Sequence, residues 1–168
     1  MKRVIFDTNV YGRLILEDDV IRVSRTILDN PGFIVYGFRP IRKELRNTPK
    51  QSFQGSFKTR NLLLNLYDEL TKGRVFMESV QIEDLARNIY NQYRRFGGIR
   101  GWRNTNISVD FTIVACAILN RLDVMISDDM STMLSRPALR AYREVAEDLG
   151  LSLPVFWKYS DLKKKYGF

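Results

Sequence analysis

Residues 2–10 read Lys-Arg-Val-Ile-Phe-Asp-Thr-Asn-Val, and this stretch decides how the rest of the chain is interpreted. Its apolar run, residues 4–6, is rich in β-branched and aromatic side chains, which predicts a strand buried on both faces. Asp7 ends the run, and Thr8 and Asn9 follow as turn or helix-capping residues. We therefore expect a carboxylate at the carboxyl end of a central parallel strand, where α/β sheets build their sites. A plain helix cap explains Asp7 equally well, so other acidic residues must decide between the two.

Composition limits what the chain can be. Its 168 residues are 45% hydrophobic and 12% aromatic, which favours a single folded domain over residues 1–168. No apolar run is long enough to span a bilayer, and Met1 leads directly into the first strand, so we expect a cytoplasmic protein with no membrane segment.

The chain has no histidine, and its one cysteine, Cys116, lies in an apolar stretch. These counts exclude Ser-His and Cys-His nucleophiles, His-ligated zinc and an intrachain disulfide. Any metal must be held by oxygen ligands, which favours Mg²⁺ or Mn²⁺.

The formal net charge of +8 favours a polyanionic partner, chiefly nucleic acid or an acidic protein segment, although solubility alone explains the charge equally well. Basic side chains lie near aromatic ones in the polar stretch 50–61, at the end of a predicted helix over 81–96, and in the loop 97–103. Cations can follow phosphates while aromatic rings stack on bases. The RNA-binding candidates are Lys58, Arg60, Arg94, Arg95, Arg100, Trp102 and Arg103.

Apolar strands alternate with helical patterns along the rest of the chain. Strands are predicted at 33–36 and 124–126, with shorter ones at 75–77 and 154–157, and an almost wholly apolar helix is predicted over 107–122. Residues 50–61 are expected to form a loop or the entry to a helix. This alternation predicts an α/β fold with a parallel sheet.

Further acidic residues fall where such a sheet would bring them to Asp7. Glu44 lies on the helix after the second strand, Asp110 near the start of the buried helix, and Asp128 and Asp129 directly after the third long strand. Right-handed crossovers place parallel strand ends on one edge of the sheet. Because clustered carboxylates repel one another and lose hydration, such a cluster favours a bound divalent cation.

Each of these acids also has a purely structural explanation. Asp110 could favour the helix dipole from the first turn, Glu44 could be a solvated residue paired with Arg42 or Arg46, and the aspartate pair could cap a helix. We favour a bound cation over the interpretation in which all of these structural explanations hold at once.

The chain resembles the PIN domain, a family that includes the VapC-type ribonuclease toxins. The resemblance covers nearly the whole chain in order and spacing. It rests on Val-Ile-Phe-Asp-Thr-Asn-Val from Val4, Ile-Arg-Lys-Glu-Leu around Glu44, Asp-Phe-Thr-Ile-Val-Ala-Cys-Ala-Ile from Asp110, and Met-Ile-Ser-Asp-Asp ending at Asp129. It implies a three-layer α/β/α fold with a central parallel sheet and Mg²⁺- or Mn²⁺-dependent endonucleolytic cleavage of RNA.

The resemblance also assigns site residues. It makes Asn9 and Ser127 polar supports of the site. Asp128 stands where a neutral or basic residue is common, which leaves open whether Asp128 or Asp129 joins the metal ligands. The stretch 47–76 is longer than in the most compact toxins. The catalytic acids implied are Asp7, Glu44, Asp110 and Asp129, and the metal ligands implied are Asp7, Asp110, Asp129 and Asp128.

The resemblance further implies a toxin of a type II toxin–antitoxin pair, with a cognate antitoxin protein as partner and a homodimer as the default assembly. One alternative is a haloacid dehalogenase-like phosphatase, but such enzymes carry a second Asp two residues after the nucleophile, where this chain has Asn9. Another is a non-catalytic RNA-binding module with the same fold, which would gain nothing from carboxylates that repel phosphates.

Overall fold

The computed structural model is built around a five-stranded sheet in the strand order β5-β2-β1-β6-β7. It describes residues 1–49, 51–54, 57–99, 101–102 and 107–167. The elements are β1 (Lys2–Phe6), α1 (Thr8–Leu14), α2 (Val20–Leu28), β2 (Phe33–Phe38), α3 (Arg39–Arg46), β3 (Phe53–Gln54), β4 (Phe57–Lys58), α4 (Thr59–Thr71), β5 (Val75–Phe76), α5 (Val80–Arg95), α6 (Ile107–Leu119), β6 (Val124–Ile126), α7 (Arg136–Asp148), β7 (Val155–Trp157) and α8 (Tyr159–Tyr166).

Strand β1 lies at the centre of the sheet, and every neighbouring pair in this sheet is parallel. Val4 pairs with Val35 of β2 on one side and with Val124 of β6 on the other. The last three residues of β1 and all of β6 are buried, as their continuous apolar runs predict. Because these strands are parallel, their carboxyl ends meet at one edge of the sheet. The predicted three-layer α/β/α architecture with a central parallel sheet is confirmed.

Helix α6 forms the most apolar part of the core and packs chiefly against α5. It ends at Leu119, three residues before the predicted end. The chain turns there because Arg121 adopts the left-handed conformation, with φ at 51°, and the Leu122 amide donates a hydrogen bond back to the carbonyl of Ala117. No described helix has the length and apolar character needed to cross a membrane.

The polar stretch 50–61 contains a small antiparallel hairpin instead of a plain loop. Phe53 of β3 pairs with Lys58 of β4, and Gln54 pairs with Phe57. Helix α4 then begins at Thr59. These two strands lie in a polar stretch with no continuous apolar run, unlike β5, so the sequence did not predict them.

Gly37 lies in β2 at a close approach to helix α4. A Cβ atom at this position would overlap the Tyr67 hydroxyl and lie 2.9 Å from a methyl group of Thr71. The Tyr67 hydroxyl also donates a 3.0 Å hydrogen bond to the carbonyl of Phe38. We expect Gly37→Ala to lower the free energy of unfolding by about 1–3 kcal/mol, because the core cannot accommodate the added methyl group without shifting Tyr67.

Gly12 provides the matched control for this prediction. It lies inside helix α1, and nothing lies within 4 Å of the Cβ that alanine would add. Gly12→Ala should therefore raise stability by about 0.5–1 kcal/mol through helix propensity. Urea unfolding of both variants measures the difference, and equal stabilities would contradict the packing of Tyr67 on β2.

Candidate active site

The carboxyl ends of β1 and β6, helix α3 and the first turn of α6 surround a cleft of about 470 Å³, here called the acid cleft. Its wall contains the four acids that the resemblance implied as catalytic. The lining residues are Asp7, Thr8, Asn9, Glu44, Ile99, Ile107, Asp110, Asp129, Ser131 and Thr132.

Asp7 both caps a helix and lines the cleft. Its Oδ1 accepts a 2.7 Å hydrogen bond from the Thr8 amide at the start of α1. Its Oδ2 accepts hydrogen bonds from the Asn9 side-chain amide at 2.5 Å and from the Ser127 hydroxyl at 2.7 Å. Asp7 is only 4% exposed. The sequence offered a helix cap and a site residue as alternative roles for Asp7, and the structure places its carboxylate both at the start of α1 and in the wall of the cleft.

Asn9 and Ser127 join the ends of β1 and β6. The Asn9 Nδ2 atom also donates to Ser127 Oγ at 3.2 Å, and its Oδ1 accepts from the Asp128 amide at 3.1 Å. Ser127 Oγ in turn accepts a 3.0 Å hydrogen bond from the amide of Asp129. The two side chains thus fix the backbone that carries the acids on both strand ends.

Glu44 reaches the cleft from α3. Its Oε2 accepts a 2.6 Å hydrogen bond from the hydroxyl of Thr8, which links α3 to the start of α1. Arg42, one of the partners expected for a solvated Glu44, instead forms two 2.8 Å hydrogen bonds with the carboxylate of Asp68. The sequence indicated Thr8 only as a turn or helix-capping residue. Its position between Asp7 and Asn9 was the signal that could have marked it as part of the site.

Asp129 enters the cleft at the start of the turn 130–134. Its Oδ1 accepts hydrogen bonds from the Ser131 amide at 2.8 Å, the Ser131 hydroxyl at 2.6 Å and the Thr132 amide at 3.0 Å. Its Oδ2 accepts from the Met133 amide at 3.2 Å. This carboxylate therefore shapes the turn as well as the cleft.

Asp128 faces away from the acid cleft. Its Oδ2 lies 3.2 Å from Nε of Arg13, and its Oδ1 accepts a 2.9 Å hydrogen bond from the Tyr159 amide at the start of α8. It lines a different depression, together with both of these partners. Of the two aspartates between which the expected ligand set was left open, Asp129 lies with the other acids, whereas Asp128 is held away from the cleft by Arg13 and Tyr159.

Asp110 stands in the first turn of α6, partly buried at the cleft wall. No described residue donates a hydrogen bond to its carboxylate. Burial, followed by the nearby charges of Asp7, Asp129 and Glu44, raises the pKa of Asp110 from 3.8 to about 8. At neutral pH this carboxyl group therefore holds a proton in the absence of a counter-charge.

The other two aspartates of the cleft titrate differently. Burial raises the pKa of Asp7 to about 6, with smaller increases from Glu44 and Asp129 that oppose its hydrogen bonds from Ser127 and Thr8. Burial also acts to raise the pKa of Asp129, but the hydrogen bonds from the turn 130–134 outweigh it and hold that pKa below its usual value. The three aspartates of the cleft therefore differ in their affinity for a proton, which is highest for Asp110, intermediate for Asp7 and lowest for Asp129.

A hard divalent cation fits the donor set of this cleft. All four acids offer carboxylate oxygens, and a cation would compensate the burial and the neighbouring charges that together raise the pKa values of Asp7 and Asp110. Across the described ranges, no group of three acidic or cysteine side chains is already arranged to hold a metal ion. The carboxylates would therefore have to be drawn closer by a bound cation.

The predicted RNA contacts in the stretch 50–61 have different surroundings. Lys58 is exposed on the hairpin. Arg60 donates through both Nε, at 2.7 Å, and Nη2 to the carbonyl of Thr48, so its guanidinium supports the chain after α3. That contact argues against its predicted role with RNA. Arg100 and Arg103 lie outside the described residues.

The other predicted contacts lie near the end of α5. Arg94 and Arg95 are in its last turn. Trp102 packs on Tyr90, with ring centroids 5.0 Å apart, and the Arg87 guanidinium lies 5.6 Å from the Trp102 ring centre. Trp102 lines a groove of about 660 Å³ that shares Glu44 with the acid cleft. None of the described RNA-binding candidates lines the acid cleft itself.

Comparison with known proteins identifies the fold. No protein-family model and no curated protein sequence matches the chain. Similar solved structures include VapBC2 from Rickettsia felis bound to a DNA fragment from their promoter, with 12% identity, 93% of this chain and 98% of that chain covered, and a TM-score of 0.58. FitAB bound to an IR36 DNA fragment has 15% identity, coverage of 93% and 94%, and a TM-score of 0.58.

VapBC-1 from nontypeable Haemophilus influenzae has 17% identity, coverage of 94% and 98%, and a TM-score of 0.53. At these identities the likeness concerns the fold. The chain has the PIN-like three-layer α/β/α fold, as the resemblance of its motifs implied.

The raised pKa of Asp110 gives a prediction about stability. Its pKa is 3.8 without perturbation and about 8 in the folded protein, so the folded state binds the extra proton and its stability falls as pH rises through this window. Asp110→Asn removes that decline. In metal-free buffer, we expect the variant to match the parent protein near pH 4 and to exceed its free energy of unfolding by on the order of 2 kcal/mol at pH 8.

Asp129→Asn provides the control with the opposite sign. Its pKa is lowered in the folded protein, so its ionised form stabilises the fold above the unfolded pKa. We expect this variant to be about 1 kcal/mol less stable at pH 7, because the turn amides no longer have a charged acceptor. Urea unfolding across this pH range measures both effects. A fall in stability at pH 8 in Asp110→Asn would contradict the repulsion within the cleft.

Proposed function

We propose that this protein is a metal-dependent endoribonuclease and the toxin of a toxin–antitoxin pair. The observation that carries the proposal is the acid cleft: four carboxylates from separate parts of the chain line one cavity at the carboxyl edge of a PIN-like sheet. Asp7, Glu44 and Asp129 also hold parts of the fold together through hydrogen bonds, but gathering four carboxylates in one cavity is costly, because each added charge raises the electrostatic free energy of its neighbours.

Asp7, Asp110 and Asp129 would hold Mg²⁺ or Mn²⁺, with Glu44 completing the acidic wall. When bound, the metal would supply an activated water and stabilise negative charge on the scissile phosphate. Asn9 and Ser127 keep Asp7 in place through their hydrogen bonds. Because Asp110 retains its proton at neutral pH without a cation, metal binding should release that proton and should tighten as pH rises.

The net charge of +8 supports RNA as substrate, and the fold shared with VapBC and FitAB chains supports an antitoxin protein as partner. We place the antitoxin over the acid cleft of a cytoplasmic homodimer. The phosphatase alternative is less favoured, because the side chain two residues after Asp7 is an amide occupied with Asp7, Ser127 and the Asp128 amide.

Metal dependence tests the mechanism directly. The purified protein should cleave single-stranded RNA in Mg²⁺ or Mn²⁺ and stop doing so in EDTA. Asp110→Asn should abolish cleavage and shrink the rise in melting temperature that Mn²⁺ produces, because one metal ligand is removed; full occupancy at about 100 times Kd would otherwise stabilise the fold by roughly 2.7 kcal/mol.

Asp128→Asn is the matched control, since it removes the same charge from the neighbouring position outside the cleft. It should keep both cleavage and the Mn²⁺-induced shift, and breaking its pair with Arg13 should destabilise the fold by at most about 1 kcal/mol. Cleavage that persists in EDTA after extensive dialysis would refute the mechanism. An active Asp110→Asn enzyme with an unchanged Mn²⁺ shift would remove Asp110 from the site.

A further inference from the structure

Helix α7 carries three exposed arginines at positions i, i+4 and i+7, which lie on one face of a helix. This arginine face borders a shallow depression of about 630 Å³ beside the acid cleft. The depression is lined by Met130, Leu134, Arg136, Leu139, Arg140 and Arg143.

The arginine face has no acidic partner among the described residues. Ion pairs engage other arginines, including Arg13 and Arg42, but none of the three on α7. Arg140 instead lies over the ring of Phe96, with its guanidinium carbon 4.0 Å from the ring centre. Phe96 ends α5, whose last turn carries Arg94 and Arg95. The arginine face of α7 therefore lies against the carboxyl end of α5.

The charges of α7 run against the preference of its own helix dipole. Arg136 is its first residue and no acid lies in its first turn, whereas Glu147 and Asp148 stand at its end. Helices favour acids at the start and cations at the end. Arg136 in the first turn consequently costs the helix stability, and this cost favours a role in binding an anion over a role in folding.

The arginine face continues from the acid cleft across the turn 130–134. Ser131 and Thr132 of this turn line the cleft, while Met130 and Leu134 line the depression. Met130 is 53% exposed on the turn between them. A polyanion that leaves the cleft over this turn would therefore meet an apolar side chain and then a row of cations.

We propose that the arginine face of α7 binds the phosphates of single-stranded RNA on one side of the bond cleaved in the acid cleft. This inference rests on the proposed function and names the path of its substrate. Guanidinium forks match phosphate oxygens, and an exposed apolar side chain such as Met130 offers a surface for a base. Continuity with the cleft favours RNA over an acidic protein segment.

The test neutralises part of the face and measures RNA binding in EDTA, where the proposed chemistry does not run. In Arg136→Gln/Arg143→Gln, the slope of log affinity against log salt for a 12-nucleotide single-stranded RNA should fall by about 1.4, or roughly 0.7 for each phosphate that the variant no longer neutralises. Arg136→Lys/Arg143→Lys keeps the charge and should restore the slope.

The matched control is Lys2→Gln/Lys72→Gln, which also removes two positive charges, but at the amino ends of the strands, opposite the acid cleft. Lys2 begins β1, and Lys72 lines a depression on that side. This variant should leave the salt slope unchanged, and melting temperatures confirm that all variants fold. An equal slope in the arginine variant and this control would overturn the proposal. So would an arginine variant whose affinity falls only for an oligoglutamate peptide.

A cleavage assay in Mn²⁺ separates this proposal from the proposed function. The parent protein should cut both the 12-nucleotide RNA and a trinucleotide. The kcat/KM of the arginine variant should fall about tenfold on the longer RNA only, because the trinucleotide does not reach α7. A parent protein that cuts neither RNA refutes the nuclease, while the salt slope still decides whether the arginine face binds RNA.

Discussion

The buried Asp7 carboxylate is the interaction on which the rest of the structure depends. It accepts hydrogen bonds from the Thr8 amide, the Asn9 side chain and the Ser127 hydroxyl, and so joins the start of α1 to the ends of β1 and β6. A hydrogen bond to a charged group contributes about 1.5–3 kcal/mol, which offsets part of the cost of burying the carboxylate; burial still raises the pKa of Asp7 to about 6. The same hydrogen bonds that stabilise the fold also position this carboxylate in the wall of the acid cleft.

Around Asp7 the cleft divides its acids by environment. The turn 130–134 supplies amides that keep Asp129 ionised, whereas Asp110 receives no hydrogen bond from a described residue and its pKa rises to about 8. Neighbouring carboxylates with such different surroundings avoid full mutual ionisation in the absence of a cation. The apolar body of α6 holds Asp110 in this unfavourable position, because the packing of the helix outweighs the electrostatic cost of one side chain.

The sequence predicted the features that depend on local pattern, but it could not predict which way individual side chains point. Apolar runs located β1 and β6, and the order of acids along the chain located the cleft. It could not separate Asp128 from Asp129, because the side that each side chain faces is set by the partners Arg13 and Tyr159, which are distant in sequence. The arginine face of α7 was missed for a related reason: its sequence is that of an ordinary solvated helix, and only its place beside the turn 130–134 distinguishes it.

The distribution of ion pairs connects these features. Arg13 of α1 pairs with Asp128, and Lys163 of α8 contacts both carboxylate oxygens of Glu17 at under 3 Å. These two cations are therefore engaged on the side of β6 that faces away from the acid cleft. The contacts of Asp128 thus hold the chain just before the turn 130–134, while Ser131 and Thr132 of this turn line the cleft. The arginines of α7, without acidic partners among the described residues, remain available to a ligand. The arginines of α7 thus place positive charge beside the carboxylates of the acid cleft, an arrangement that suits the proposed RNA substrate, whose phosphates the arginines would bind on one side of the bond cleaved in the cleft.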